Sequence, residues 1–69
     1  MERTRLQSSN LREVGYEPNS HVLEILFADG GLYHYFDVPE SMYEALLAAT
    51  SAGRFFHQKI RDAYRCVRV

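Results

Sequence analysis

The sequence predicts an α+β fold, a three-stranded antiparallel sheet (β-β-β) followed by two helices packed on one of its faces. Three observations carry that expectation. The first half of the chain alternates apolar and polar residues, with turn residues between the runs. The second half repeats apolar residues at three- and four-residue spacing. The switch between the two periods falls at Asp37-Val38-Pro39-Glu40.

Residues 1–9 are polar and aperiodic and read as a flexible arm, leaving residues 10–69 as a single domain. Leu11-Arg12-Glu13-Val14-Gly15-Tyr16 reads as the first strand. Its apolar positions 11 and 14 break strict alternation, and Gly15 is where a bulge would restore it. Glu17-Pro18-Asn19-Ser20 is a turn, with Pro presetting φ and Asn and Ser able to bond their own backbone. His21 to Phe27 forms the second strand, with Leu23, Ile25 and Phe27 on one face. Ala28-Asp29-Gly30-Gly31 turns the chain into a third strand, Leu32 to Phe36.

Two registers are open to that hairpin. A two-residue Asp29-Gly30 turn pairs Phe27 with Leu32, Ile25 with His34 and Leu23 with Phe36, which turns Tyr33 and Tyr35 away from the core. A three-residue loop with Gly30 in the left-handed region shifts the pairing by one and brings both tyrosines onto the core face. The first register collects five apolar residues and one histidine on one side and is the expected one.

Asp37 is positioned to cap the first helix, with Pro39 in its first turn and Glu40 three residues after the cap. Met42, Tyr43, Leu46, Leu47 and Thr50 give that helix one apolar face to about residue 51. Ser51 is a cap for a second helix from about Ala52 to Tyr64 or beyond. On it Phe56, Ile60, Ala63 and Val67 share one side, and Arg54, His57, Gln58, Arg61, Arg65 and Arg68 share the other.

The formal charge of −1 conceals a segregation. Residues 13–44 hold seven of the nine acids and no Lys or Arg, while residues 45–69 hold five of the eight cations and one acid. The basic stripe has the form of an ordinary solvated helix face, and equally the form that phosphate contacts need, since arginine's planar fork binds phosphate oxygens in pairs. An acidic middle would then turn the same ligand toward the basic side. The overall pI of about 6.3 is low for a general nucleic-acid binder. Tyr33-His34-Tyr35 on a strand is either a stacking platform for unpaired bases or tyrosine filling out a thin core.

Other chemistry finds little support. His21, His34 and His57 have no metal-ligand spacing, the single Cys66 does not complete one, and no cofactor is implied. Ser8, Ser9, Ser41 and Ser51 lack a nucleophile-elbow setting. A sheet of three strands under two helices leaves little room for a concave pocket of about 300–1,000 Å3, so catalysis is not expected. The lone cysteine points to a reducing, cytoplasmic setting, and no apolar run suits a membrane span or a signal peptide.

Taken in order, Ser8-Ser9, Val14-Gly15-Tyr16, the alternating Leu23, Ile25 and Phe27, Tyr33-x-Tyr35, Val38-Pro39, Tyr43, Leu46, Ala49, Ser51-x-Gly53, Phe56, Ile60-Arg61 and Tyr64 resemble the KTSC domain. That family of small modules is found at the C-terminus of some lysyl-tRNA synthetases and as stand-alone bacterial proteins. His57 departs from the Asn expected after the Phe. The resemblance implies RNA binding and no catalysis. The expectation is thus a small non-enzymatic module that binds RNA or single-stranded nucleic acid through Tyr33, Tyr35, Arg54, His57, Arg61, Arg65 and Arg68. The alternative is a protein-interaction or self-associating module with no nucleic-acid ligand.

Overall fold

The computed structural model describes residues 2–69. Among these, the elements run β1 (Arg3–Arg5), β2 (Leu11–Glu17), β3 (Val22–Phe27), β4 (Leu32–Tyr35), α1 (Glu40–Ala48), α2 (Ala52–Lys59) and β5 (Cys66–Arg68). The α+β class with two helices on an antiparallel sheet is as expected. The sheet has five strands in the order β1-β2-β3-β4-β5, two more than the alternation of the sequence reveals.

Both added strands are short edges. Residues 3–5, read as part of a loose arm, pair with β2 in the register Arg3 with Gly15, Thr4 with Val14 and Arg5 with Glu13. Residues 66–68, which the helical reading reaches only if the helix runs beyond Tyr64, pair with β4 as Cys66 with Tyr35, Val67 with His34 and Arg68 with Tyr33. The joint extends at both ends, where Phe36 N–H donates to Arg65 O and Val69 N–H donates to Leu32 O. Each pairing satisfies backbone groups that an uncovered edge would leave to water.

The irregularity in β2 lies between Leu11 and Glu13, not at Gly15. The extra residue, Arg12, lets Leu11 and Val14 both face the core, where both are fully buried. Gly15 serves another purpose. It stands between Arg3 and Glu24 in one row across the open face of the sheet. Having no side chain there, it lets Arg3 Nε reach Glu24 Oε2 at 2.8 Å over the intervening strand. His34 Nε2 meets the other oxygen of Glu24 at 2.7 Å, and Arg3 Nη1 adds Glu13 at 3.3 Å. The row ties β1 to β3 and β4.

The β3–β4 hairpin adopts the shifted register. Leu23 pairs with Tyr35, Ile25 with Tyr33 and Leu26 with Leu32. Phe27 N–H donates to Gly31 O and Gly30 N–H donates to Phe27 O, closing a three-residue loop with Gly30 at φ 95°. Asp29 reinforces it by accepting from Gly31 N–H at 2.9 Å. The loop therefore overrides the simple collection of apolar residues that favours the two-residue turn, because Gly30 takes the left-handed conformation at no steric cost.

Asp37 does not cap α1. It lies in the left-handed region at φ 59°, and Pro39 is the capping residue, with no side-chain bond. Ser51 caps α2 as expected, its hydroxyl accepting from Arg54 N–H at 3.2 Å. The core lies between one sheet face and the helices: Leu11, Val14, Leu23, Ile25 and Tyr35 against Val38, Leu46, Phe56 and Ile60. Tyr16 joins the layers, stacking on Tyr43 of α1 at 5.2 Å and donating its hydroxyl to Val38 O.

Candidate functional site

α2 stops at Lys59, well short of the expected Tyr64. Ile60 is fully buried and closes the helix, and Arg61 N–H also bonds Phe56 O as the chain turns. The residues that follow run back along β4 as β5 instead of continuing a helical stripe. Two periods coexist in that stretch. Ile60, Ala63 and Val67 fit a helix, but Cys66-Val67-Arg68-Val69 also alternates as a strand does. Pairing with the free edge of β4 decides between them.

The consequence is a cleft of about 640 Å3 between α2, the β3–β4 hairpin and β5. On β5 the alternation turns Cys66 and Arg68 toward the helix side, with Tyr35 and Tyr33, and turns Val67 to the open face. The cleft thus gathers Tyr33, Tyr35, His57, Arg61 and Arg68 of the sequence-derived set, with Phe27, Phe56, Cys66, Asn10, Asp29 and Asp62 beside them. A cleft of this size is more than the little room expected of so small a domain. β5 is the reason, since Cys66 and Arg68 on it build one wall.

The floor is aromatic. Phe27 meets Tyr33 and Phe56 edge-on at 5.4 Å each, and Tyr35 meets Phe56 edge-on at 5.5 Å. Tyr35 is 4% exposed, so its ring faces are spoken for by core neighbours and it has none to offer a base. Burial first, and the adjoining Cys66 second, push its phenol pKa well above the ordinary tyrosine value. Tyr33 is only half-buried, with the Arg68 guanidinium 5.9 Å from its ring centre. The cationic wall is ordered from within, because Arg61 Nη1 donates to His57 Nε2 at 2.8 Å. His57 thereby holds the guanidinium one turn along from itself.

Arg54 and Arg65 lie elsewhere. Arg54, in the first turn of α2, lines a second, polar depression of about 290 Å3 with Gln7, Ser8, Ser9, Asn10, Thr50, Ser51, Ala52 and Gly53. Arg65 packs over Phe36, 5.4 Å from its ring centre, beyond the end of β4. The single stripe of four arginines therefore does not exist. Phe27 and Phe56 are legible in the sequence as apolar, and only the tertiary fold sets them in a cleft. Among the described residues no three of His, Cys, Asp and Glu come together as a metal site would need.

The domain model for KTSC matches residues 7–64. The chain belongs to the KTSC domain family. Its fold is that of a KTSC domain protein from Yersinia pestis of known crystal structure. The two superpose with a TM-score of 0.96 at 35% identity, over 99% of this chain and 96% of that one. An uncharacterized protein of Stutzerimonas stutzeri is 46% identical over 64 residues, 93% of this chain and 90% of its own. A lysine–tRNA ligase of a Nostoc species is 34% identical over 59 residues, which are 86% of this chain and 10% of the ligase. The KTSC domain thus occurs both nearly alone and as a small part of a long enzyme. The family match ends at Tyr64, so Cys66 and Arg68 of the cleft wall lie outside it.

Proposed function

We propose that this KTSC domain is a non-enzymatic module that binds single-stranded RNA, taking one unpaired nucleotide into the cleft beside α2. The observation that carries the reading is the convergence of Arg61, Arg68 and the half-buried Tyr33 on one open cleft with an aromatic floor. Two guanidinium forks serve phosphate oxygens, and the Tyr33 ring serves the face of a base, a contact worth about 1–3 kcal/mol where it has been measured by substitution. Tyr35 has only a structural part, as the base of the cleft. The occurrence of the domain within lysine–tRNA ligases, whose name makes tRNA their substrate, supports RNA as the ligand class.

Titration of a short fluorescent single-stranded RNA at low and at moderate salt tests this. Binding is expected at low salt and weakens as salt rises, because neutralised phosphates release counterions. The Arg61→Ala/Arg68→Ala double variant loses it, and Tyr33→Leu weakens it about tenfold or more at unchanged helicity. Absence of binding at low salt overturns the reading.

One observation favours a second reading, a module that pairs with a second copy of itself. β5 is an uncovered edge, with Val67 46% exposed on it and Val69, just past it, 59% exposed. The oligomeric state separates the two readings.

A further inference from the structure

The cleft does not end at α2. Asn10 and Gly53 line both the cleft and the smaller polar depression, so the two are halves of one surface track with these residues as the saddle between them. The saddle is low because Gly53 carries no side chain. A Cβ at that position would stand 3.3 Å from Ser8 Oγ and 3.9 Å from Asn10 Nδ2.

The halves differ in chemistry. The first has the aromatic floor, with Arg61 and Arg68. The second has no aromatic residue and no acid; hydroxyl and amide side chains and Arg54 make up its lining, apart from Ala52 and Gly53. Arg54 has no carboxylate within 4 Å among the described residues, and its own N–H is already taken by Ser51. The anion-binding capacity of the depression therefore rests on side chains, Arg54 foremost, and not on the helix end.

We infer that the track accommodates a strand longer than one nucleotide, with a base and its phosphate in the cleft and the next phosphate over the Gly53 saddle, held by Arg54. The inference rests on the single-strand reading of the cleft and extends it in length and direction. An aromatic half followed by a mostly polar, cationic half suits a chain whose backbone carries a charge at every step. It gives Arg54 a role that a single-nucleotide site would not.

A length series of oligoadenylate RNA, from one to four nucleotides, titrated against the intact chain by heteronuclear NMR or calorimetry, tests it. Affinity should rise by on the order of tenfold between one and two or three nucleotides, as one further charge-assisted contact forms. Arg54→Gln should remove that increment while leaving binding of the mononucleotide unchanged. It should also flatten the salt dependence of the longer oligomers by about 0.7 in logarithmic slope. Gly53→Ala, which raises the saddle and favours the helix, should shrink the same increment. Mononucleotide binding without any gain on lengthening overturns the extended track and leaves the cleft reading standing. So does a gain that survives Arg54→Gln. Absence of binding at every length overturns both.

Discussion

Tyr35, paired in register with Cys66 of β5, presses its phenol ring edge-on against Phe56. Burial pushes its pKa up from the ordinary value of about 10, and burial with the nearby Glu40 pushes that of Tyr16 in the same direction. Below pH of about 10 both phenols are neutral in the folded and the unfolded chain, and the stability they allow is fully present. As pH rises through the folded-state values, the unfolded chain ionises first and the fold loses stability. Tyr35→Phe should therefore make the alkaline loss of stability less steep, read from urea midpoints between about pH 8 and pH 11. An unchanged slope would contradict this. Reading Tyr35 as a base-stacking residue was open to the sequence because its neighbours alternate correctly in either hairpin register. Its fate turned on one residue of loop length.

At the scale of elements, the hairpin shows why. Gly30 at φ 95° is the joint on which the three-residue loop, and with it the facing of Tyr33, depends. Space is not the constraint, since nothing lies within 4 Å of a Cβ built there. The cost is conformational, so Gly30→Ala should destabilise the domain by about 1–2 kcal/mol in urea unfolding, with Gly30→Asn costing less. Equal losses for the two variants would show that the backbone conformation is not the cause. The central hairpin, the Glu17–Ser20 turn, the two helices and the Ser51 cap were legible because each is written in local spacing and local hydrogen bonding. β1 and β5 were not. Three-residue strands bury no side chain of their own, as their exposure along the whole length attests. Their stability comes from partners far away in the chain.

Across the whole molecule, the segregated charge acquires a geometry. Arg61 and Arg68 share the cleft beside the β3–β4 hairpin with Asp29 and Asp62, while Glu13 and Glu24 are tied to Arg3 on the open face of the sheet. The same geometry bears on self-association. Two β5 edges meeting would bring Arg65 and Arg68 of each copy to one joint, and charged edges of this kind resist pairing. Sedimentation at high protein concentration should therefore give a monomer. A coefficient that rises with concentration, and falls back in Val67→Lys, would favour the self-pairing reading instead.

By itself the sequence determined the class of fold, the family, the capped second helix, most of the core and the division of the chain into acidic and basic parts, because spacing, turn chemistry and composition are local properties. The tertiary structure alone decided that residues 3–5 and 66–68 are strands, that the hairpin turns its tyrosines inward, and that five of seven candidate residues share a cleft while Arg54 and Arg65 stand apart. The physical reason is common to all three. Edge pairing and strand register are settled by hydrogen bonds and burial between segments distant in sequence, and local periodicity holds no record of them.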